Sequence, residues 1–541
     1  MNQFVENKLM RISGLFGAIL LASAGMFLFG HVLVFAGTLP AKTLPSAPSS
    51  AVNCFTTYGA NTTTQFASND ATAVQDAVNA AAVDDVVKVA GTCAGVQTIS
   101  GLTQTVLIAK NLTLQGGYTT TNWTASPNLD TYPTILDAQG NGRVVMISDT
   151  HTVTLSHLTI QNGLVSGTEN GGGVYNQSST VSILDSNITG NEASDGGGVF
   201  NDTGVLLLQN STVSQNQANA NGTSERDGGG GLYNKDGHVT IDNSQISANT
   251  SDENGGGIFN RYFITVTNSI INNNSSGYVA IPPTGVDTEA VEDILAPQNF
   301  SNAGGGVGSF GQWTYIQNST IRDNSNVGQG GGGIGHTYGG QLFIIDSTVS
   351  GNSANGGSGG GLYFSQDVTI QNSTFSGNSA ENGGGIYQWF GGINIRVEFS
   401  TIASNTASLN GNNLGNWGGI LSNSILSGDG NNCTLGNGYL DGGFNIDSSS
   451  SCGLTTTTSM THTNPMLLPL ADNGGDTETH ALDGMSPALN VIASGVNGCG
   501  TAFTTDQRGE VRPYATGKCD VGAYEAQRDY YFIFLPVILK Q

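Results

Sequence analysis

The sequence predicts an all-β protein, a right-handed parallel β-helix solenoid in which each sequence repeat forms one coil. The first observation is a unit that recurs nine times between residues 171 and 426, with central serines 24 to 50 residues apart. A period near 25 residues that accepts insertions is typical of a solenoid. The second is the alternation of apolar residues, as in Val181 and Ile183, which indicates strands rather than helices.

Eight of the nine units begin with a glycine triplet followed by an aliphatic residue, as in GGGVYN at Gly171 and GGGIFN at Gly255. We interpret these glycines as residues required by positive φ angles and close backbone contacts. They do not form a phosphate-binding loop, because no Gly-Lys-Ser or Gly-Lys-Thr motif follows. They also lack the spacing of the calcium-binding nonapeptide repeat. The triplets therefore predict a structural role, and we assign no metal site and no cofactor.

Most units end in Asn at one repeat position, where side-chain amides can hydrogen-bond to one another up the stack. A structural role is favoured over ligand binding for this set. Its members are Asn191, Asn216, Asn249, Asn274, Asn324, Asn352, Asn378 and Asn405.

Residues 1–41 predict a targeting segment, because Lys8 and Arg11 precede an almost uncharged apolar run from Ile12 to Leu39. The run fits a signal peptide, and it is also long enough to stay as a membrane anchor. Residues 42–53 form a polar, Pro/Ser-rich linker. Both alternatives imply an exported body, extracellular or at the cell surface, that does not insert deeply into a membrane.

Residues 54–150 predict an N-terminal cap and the first coils, and residues 151–430 predict the β-helix repeats. In the cap, Asp70 is expected to N-cap a short helix that begins at Ala71. An apolar stripe on this helix predicts its buried face. The stripe consists of Ala73, Val74, Ala77, Val78 and Ala81.

Six cysteines agree with export, because disulfides are typical of exported proteins. Closeness in sequence pairs Cys54 with Cys93, Cys433 with Cys452 and Cys499 with Cys519, one connectivity among many. None has the CxxC spacing of a zinc or redox site.

The repeat resembles polymorphic outer-membrane-protein type repeats. The resemblance lies in the glycine-led unit, which is followed by an aliphatic residue or Phe, two further residues and Asn, as in Phe375 to Asn378. More broadly, it resembles right-handed β-helix proteins of the pectin-lyase-like class, over roughly residues 54 to 430. The order of helix, strand and early coils is similar to the usual opening of that class, in which the helix plugs the end of the core. The resemblance implies the fold and says little about function, because this architecture hosts lyases, hydrolases, adhesins and passive surface proteins.

Residues 431–527 resemble the choice-of-anchor Q type region that follows β-helices in bacterial surface proteins. The segment from Asn464 to Asn490 and the later DQRGEVRPYATGKCDVGAYE carry this resemblance. Five charged residues here could suggest a catalytic cluster, but we expect structural ion pairs and turns in a cap. They are Asp506, Arg508, Arg512, Asp520 and Glu525. Residues 528–541 form an apolar tail, either a last strand that covers the sheet or a docking peptide for surface attachment.

The chain is strongly acidic, with 16 Lys and Arg against 40 Asp and Glu and a net charge of −24. This composition argues against binding of nucleic acid, anionic lipid or polyuronate. No residues are assigned to catalysis: the arginines are scattered, the histidines do not cluster, and the paired-Asp, GHG and RIK-like motifs of pectin hydrolases are absent.

The candidate binding site is an interruption of the repeat. An aromatic residue follows the glycine triplet and its aliphatic in most units, but two middle coils have Gly308 and Gly335 there. Alternation directs these rings outward, and two long insertions, Gln217 to Asp227 and Ser275 to Ala303, leave just before the gap. A cleft there would bind sugar rings or a protein partner; the alternative is that the rings pack against loops. The candidate residues are Tyr233, Phe259, Phe310, Trp313, His336, Tyr363 and Tyr387.

These observations favour an exported cell-surface protein with an adhesin-like or envelope binding or display role and a carbohydrate or surface-protein partner. The alternative is a polysaccharide lyase or glycoside hydrolase that acts in a groove along the β-helix.

Overall fold

The computed structural model describes residues 52–99, 101–219, 228–277, 304–390 and 394–527. The targeting segment, the tail and most of both insertions lie outside these residues. The body is almost entirely β: a single α-helix, Thr72–Ala80, accompanies long stacks of parallel strands. The β-helix predicted from the repeat period is confirmed, with four strands in each complete coil. We number the four faces of the coil 1 to 4 in the order in which the chain forms them.

Face 1 follows the glycine triplet and belongs to a 13-stranded sheet. Its first pair of strands is antiparallel and the others are parallel. The strands are Gln97–Ile99, Leu102–Ile108, Arg143–Ile147, Val174–Asn176, Val199–Asn201, Leu232–Asn234, Ile258–Asn260, Val307–Ser309, Ile334–His336, Leu362–Phe364, Ile386–Gln388, Leu414–Trp417 and Cys433–Leu435.

Faces 2 and 3 share a 27-stranded sheet that bends at the corner between them. The sheet starts with Cys54–Tyr58, Phe66–Ser68 and Val86–Ala94. Face 2 continues with Leu112–Gln115, Thr152–Ser156, Thr180–Leu184, Val205–Gln209, His238–Asp242, Phe263–Thr267, Trp313–Gln317, Gln341–Ile345, Asp367–Gln371, Ile395–Glu398, Ile420–Ser422 and Leu440–Asp441. Face 3 consists of Thr134–Asp137, Thr159–Gln161, Asn187–Thr189, Thr212–Ser214, Gln245–Ser247, Ile270–Asn272, Thr320–Arg322, Thr348–Ser350, Thr374–Ser376, Thr401–Ala403, Ile425–Ser427 and Ile446–Asp447.

Face 4 is an eight-stranded sheet of short parallel strands that leads back to the next glycine triplet. Its strands are Glu192–Ala193, Gln217–Ala218, Thr250–Ser251, Ser275–Ser276, Ser325–Val327, Ser353–Asn355, Ser379–Asn382 and Thr406–Asn410.

The core is built by the inward members of the alternation. In one coil Val174, Val181, Ile183 and Ile188 are all buried in a single apolar cluster that runs through the array. At the corner between faces 2 and 3 the chain takes a positive φ, 48° at Asp185 and 50° at Asn210. Asn and Asp tolerate this left-handed conformation better than most residues, which explains why one of them precedes eight of the nine central serines. The exception is Phe399, which has a φ of 48° before Ser400.

The asparagine stack is confirmed. From Asn191 to Asn432, each buried side-chain amide donates through Nδ2 to the Oδ1 atom of the Asn in the next coil, at 2.9 to 3.0 Å. The first member, Asn191, accepts a hydrogen bond from the Gly163 amide at 2.8 Å. The last, Asn432, donates to the Asp447 carboxylate at 2.7 Å. We call this series the asparagine ladder.

The glycine triplets have the structural role that the sequence predicted. Gly196 has a φ of 58°, and a side chain on Gly197 would place its Cβ 2.2 Å from the carbonyl oxygen of Gln217. Only glycine allows the backbone of neighbouring coils to approach this closely.

The N-terminal helix closes the first coil through its apolar stripe, which is buried as predicted. The structure places the N-cap at Ala71, one residue later than expected. The Asp70 carboxylate accepts a hydrogen bond from the Thr72 backbone amide at 2.9 Å. A hydrogen bond from the Thr72 hydroxyl lowers the pKa of Asp70 below its usual value, and burial partly opposes this effect.

Residues 464–527, here called the arm, follow the last coil and turn back along its side. The arm contains two antiparallel pairs, Leu467–Ala471 with Thr479–Leu482 and Ile492–Ala493 with Lys518–Cys519, and a 3₁₀ turn at Val496–Gly498. It covers the outward side of face 3 in the late coils. There Thr348 donates to the Glu478 carbonyl at 2.5 Å, Thr374 donates to Gln507 at 2.6 Å, and Thr401 accepts the Ala523 amide at 3.1 Å.

Four of the five charged residues singled out from the sequence of the arm form two buried ion pairs. Arg508 pairs with Asp506 at 2.7 Å, and Arg512 pairs with Glu525 at 3.2 Å. Asp520 accepts amides of Asn490 and Ala526. Burial raises the pKa of Asp520, and burial with the nearby Asp520 raises the pKa of Glu525 against the effect of Arg512. The cluster fixes the arm to the β-helix and is closed to solvent.

Three disulfides join Cys54 to Cys93, Cys433 to Cys452 and Cys499 to Cys519, the connectivity expected from closeness in sequence. Such bridges are typical of proteins exported to an oxidising compartment. Among the helices of the described ranges, none has the length and apolar character needed to cross a membrane.

Candidate functional site

The aromatic ladder of face 1 lies on the outward side of its strands, opposite the aliphatic core. Its rings contact one another in series. Tyr175 stacks on Phe200 at 5.2 Å between centroids, Phe200 meets Tyr233 edge to face at 5.0 Å, and Tyr233 stacks on Phe259 at 5.1 Å. They form a second apolar cluster outside the main core.

Most rings of this ladder are buried although they lie on the outward side of the strands. Tyr233 is 3% exposed, Phe259 is 0% exposed and Tyr363 is 1% exposed, whereas Tyr387 is half-buried. Alternation along a strand tells which side a ring faces but not what covers it. Ligand binding at these four residues stays a prediction.

The interruption of the ladder is not an open hollow, because Gly308 and Gly335 are themselves buried. The two insertions leave from face 4 after Gln217–Ala218 and Ser275–Ser276, which are two coils apart in the sheet, as predicted. Residues 220–227 and 278–303 of these insertions lie outside the described residues. A cleft beneath them therefore stays a prediction.

His336 points into the core of the coil rather than toward a ligand. It occupies the inward column that Asn176, Asn201, Asn234 and Asn260 fill in earlier coils, where the amides bond to one another at 2.7 to 2.9 Å. His336 is 0% exposed, and neither ring nitrogen has a hydrogen-bond partner of good geometry. Burial lowers the pKa of His336 to about 4, against smaller opposing effects of the Gly340 peptide and Asp367.

We expect His336 to make the protein less stable in acid. The unfolded chain takes up a proton near the ordinary pKa of about 6.5, whereas the folded chain takes it up only near pH 4. Stability should therefore fall as the pH drops between these values, by up to roughly 3 kcal/mol from this residue. Thermal melts of wild type and His336→Phe between pH 7 and pH 4 check this, since Phe364 fills the same column in the next coil. An equal slope in both proteins would contradict it.

An aromatic surface lies on the outward side of face 2. His238, Phe263, Trp313, Tyr315 and Phe343 occupy outward positions of four successive coils. His238 stacks on Phe263 at 4.8 Å, and Trp313 stacks on Phe343 at 5.3 Å. Tyr315 also contacts Phe343, at 6.0 Å. We call these five residues the aromatic patch.

Further rings extend the aromatic patch over the turn between faces 1 and 2. Tyr262 lies nearly perpendicular to Phe263, at 87°, and Tyr338 lies at 78° to Phe310. Rings in both orientations offer ring faces as well as ring edges to a ligand. Trp313 is 43% exposed and Tyr338 is 64% exposed. Of the candidate residues predicted from the sequence, this surface contains Trp313 and the half-buried Phe310.

Polar groups border the aromatic patch and can accept or donate hydrogen bonds. The Tyr315 hydroxyl donates to Gln317 at 3.1 Å, and Gln317 donates to the Asp346 carboxylate at 3.3 Å. Burial, with a contribution from Asp346, raises the pKa of Tyr315, so this hydroxyl keeps its proton at neutral pH. Such a surface can bind a sugar, because the aromatic rings provide apolar contact area and the polar side chains provide hydrogen bonds.

The sequence contained a signal for this surface that the search for a gap in face 1 missed. In the strands FITVT, WTYIQ and QLFII, the outward residues that alternate with the buried ones include one or two aromatic side chains per strand. Other coils carry Thr, Ser or Leu in the same columns. A comparison of outward positions, column by column, would have found Phe263, Tyr315 and Phe343.

Within the described ranges, no group of three or more His, Cys, Asp or Glu side chains could hold a metal ion. The carboxylates of the arm are enclosed and paired, as described above. The aromatic patch offers contact surface and hydrogen-bonding groups.

No family model matches the chain, and no curated protein matches it either. Among solved structures, the crystal structure of pectate lyase Pel9A is similar at 13% sequence identity and a TM-score of 0.28, over 78% of this chain and 88% of that chain. At this distance the likeness adds nothing to the strand order described above, on which the fold assignment rests.

Proposed function

We propose that this chain is an exported binding protein of the cell surface that holds glycans on the aromatic patch of face 2. The observation that carries the proposal is the presence of outward aromatic side chains in four successive coils, whereas the coils before them carry Thr, Ser, Val or Leu in the same columns. A contiguous exposed aromatic surface is unusual on a soluble protein and typical of an interaction site.

Two features support a glycan as the ligand. The rings follow one another along the axis of the β-helix, so that an extended polymer can contact several of them. Hydrogen-bonding groups lie beside them, at Gln317 and Gln341 among others. The disulfides agree with export, and the adhesin-like or display role at the cell surface belongs to the same proposal.

Trp313→Ala is expected to weaken glycan binding by about tenfold, because the exposed ring provides most of the stacking area at the middle of the aromatic patch. Glycan-array screening of the full chain, followed by calorimetry with the best ligand, measures the change. Val327→Ala is the matched control: Val327 is 40% exposed but lies on face 4, and its loss should leave affinity unchanged. Equal binding by wild type and Trp313→Ala would contradict the proposal.

The lyase or hydrolase alternative has a separate test. Incubation of the full chain with neutral and acidic polysaccharides, followed by assays for reducing ends and unsaturated products, should give no turnover. If products form and aromatic patch variants do not form them, the proposal of a binding protein would be replaced by that of an enzyme that acts at the same surface.

A further inference from the structure

The charges around the aromatic patch are mostly negative. Asp236 is exposed in the turn that leads to His238, and Asp242 ends the same strand. Trp313 pairs in register with Gln341 of the next coil, and Gln341 pairs in the same way with Asp367 of the coil after that. Asp346 lies at the corner beyond Phe343, in reach of Tyr315. Carboxylates thus border the rings on several sides.

The nearby cations are already engaged. Lys235 is bound to Asp202 at 2.8 Å. Arg261 donates to the Tyr233 hydroxyl at 3.2 Å and lies within electrostatic reach of Asp236. Arg396 is the next cation along face 2, two coils beyond Phe343. The surroundings of the aromatic patch therefore keep an excess of negative charge, in agreement with the net charge of −24.

Aromatic rings and carboxylates together favour a cationic ligand. An ammonium group is attracted to the face of an aromatic ring and to a nearby carboxylate at the same time. A polyanion such as a polyuronate would be repelled by the same charges, and an uncharged glycan would gain nothing from them.

We infer that the aromatic patch selects a glycan that carries free amino groups, that is, a polymer of deacetylated amino sugars. This inference rests on the proposed function, and it names the ligand class of the same surface. The sugar rings contact the aromatic side chains, while the ammonium groups lie toward Asp236 at one end and Asp367 at the other. The occupant is a single extended polymer, because the patch is one strand wide and follows the axis of the β-helix.

Three oligosaccharides of equal length test the inference by calorimetry on the full chain. They share one β-linked backbone and differ in a single substituent, which is a free amine, an acetamide or a hydroxyl. In buffer acidic enough to protonate the amine, we expect the amino oligomer to bind at least about tenfold more tightly than the other two. Its affinity alone should fall as salt is added.

Asp236→Asn should weaken binding of the amino oligomer roughly two- to fivefold and leave the acetamide oligomer unaffected, because an exposed charge pair contributes modestly. Asp429→Asn is the matched control, since Asp429 is an exposed carboxylate in a turn of the last coils. Circular dichroism confirms that both variants are folded.

Several results would overturn the inference, and they differ in what they leave standing. Equal binding of all three oligomers, abolished by Trp313→Ala, would refute selection of the amine and keep the proposed function. Binding of none of the three, with another glycan bound on the array, would have the same meaning, whereas binding of no glycan at all would refute both. Tighter binding of a uronate oligomer would also refute the selection, because the charge argument predicts the opposite order.

Discussion

Asn249→Ala is expected to lower the free energy of unfolding by about 4 kcal/mol or more, which would make it one of the most damaging single substitutions in the chain. The Asn249 side chain accepts from the backbone amide and from Nδ2 of Asn216, both at 3.0 Å. It donates to the Val213 carbonyl and to Asn274, again at 3.0 Å. Alanine removes the side-chain partner of the Asn216 backbone amide and of the Val213 carbonyl, and each such loss costs about 1 to 3 kcal/mol. The Asn216 and Asn274 side chains also lose one bond each, but they keep their bonds to the Ile188 carbonyl and to the backbone amide of residue 249.

Hydrogen exchange followed by mass spectrometry measures the effect locally, which suits an array that need not unfold in one step. Protection should fall first in the coils that contain Asn216 and Asn274. Asn187→Ala is the control, because Asn187 is exposed on face 3, and it should change stability by less than about 0.5 kcal/mol. Unchanged protection in Asn249→Ala would show that water or a rearranged backbone replaces the missing amide.

Arg512→Met is expected to release the arm, at a cost of about 3 to 5 kcal/mol, because it leaves a buried carboxylate without its cation. Arg512 is 1% exposed. It pairs with Glu525 at 3.2 Å, donates to the Gly522 carbonyl at 2.9 Å and lies over the Phe399 ring at 4.4 Å. The measurement is limited proteolysis, in which cleavage within residues 464–527 should become faster while the coils stay resistant.

The double variant Arg512→Met with Glu525→Gln should recover part of the loss, since the unpaired charge is then removed. Lys518→Met provides the control, because Lys518 is exposed in the same arm. If the arm of Arg512→Met is as resistant as that of the wild type, hydrogen bonds such as Thr374 to Gln507 hold it without the ion pairs.

The parts of the fold that the sequence predicted are those that each repeat specifies by itself. Alternation assigns Val181 and Ile183 to the core, the Asn position forms the ladder, and closeness in sequence pairs the cysteines. These features depend on neighbours one coil away, so that the repeat itself carries the information.

The position of the arm could not be predicted in this way. Thr348 and Thr374 on face 3 are covered by residues 130 and 133 positions further along the chain. Thr212 and Thr320 occupy the same column but are half-buried only. Nothing in the local sequence separates the two pairs, because the difference arises from contacts made after the coils have formed. Burial of the face 1 rings escaped prediction for a related reason, since each ring is covered by rings of other coils.

The asparagine ladder also has a direction and an end. Every rung donates toward the C-terminus and accepts from the rung before it, so one rung is interchangeable with the next. A whole coil can therefore be added or removed inside the array without changing the hydrogen-bond pattern. Asp447, whose carboxylate accepts but does not donate, closes the series at 2.7 Å from Asn432. The number of coils is thus set by the number of copies of one sequence unit, and Asp447 is the acceptor at which the asparagine ladder ends.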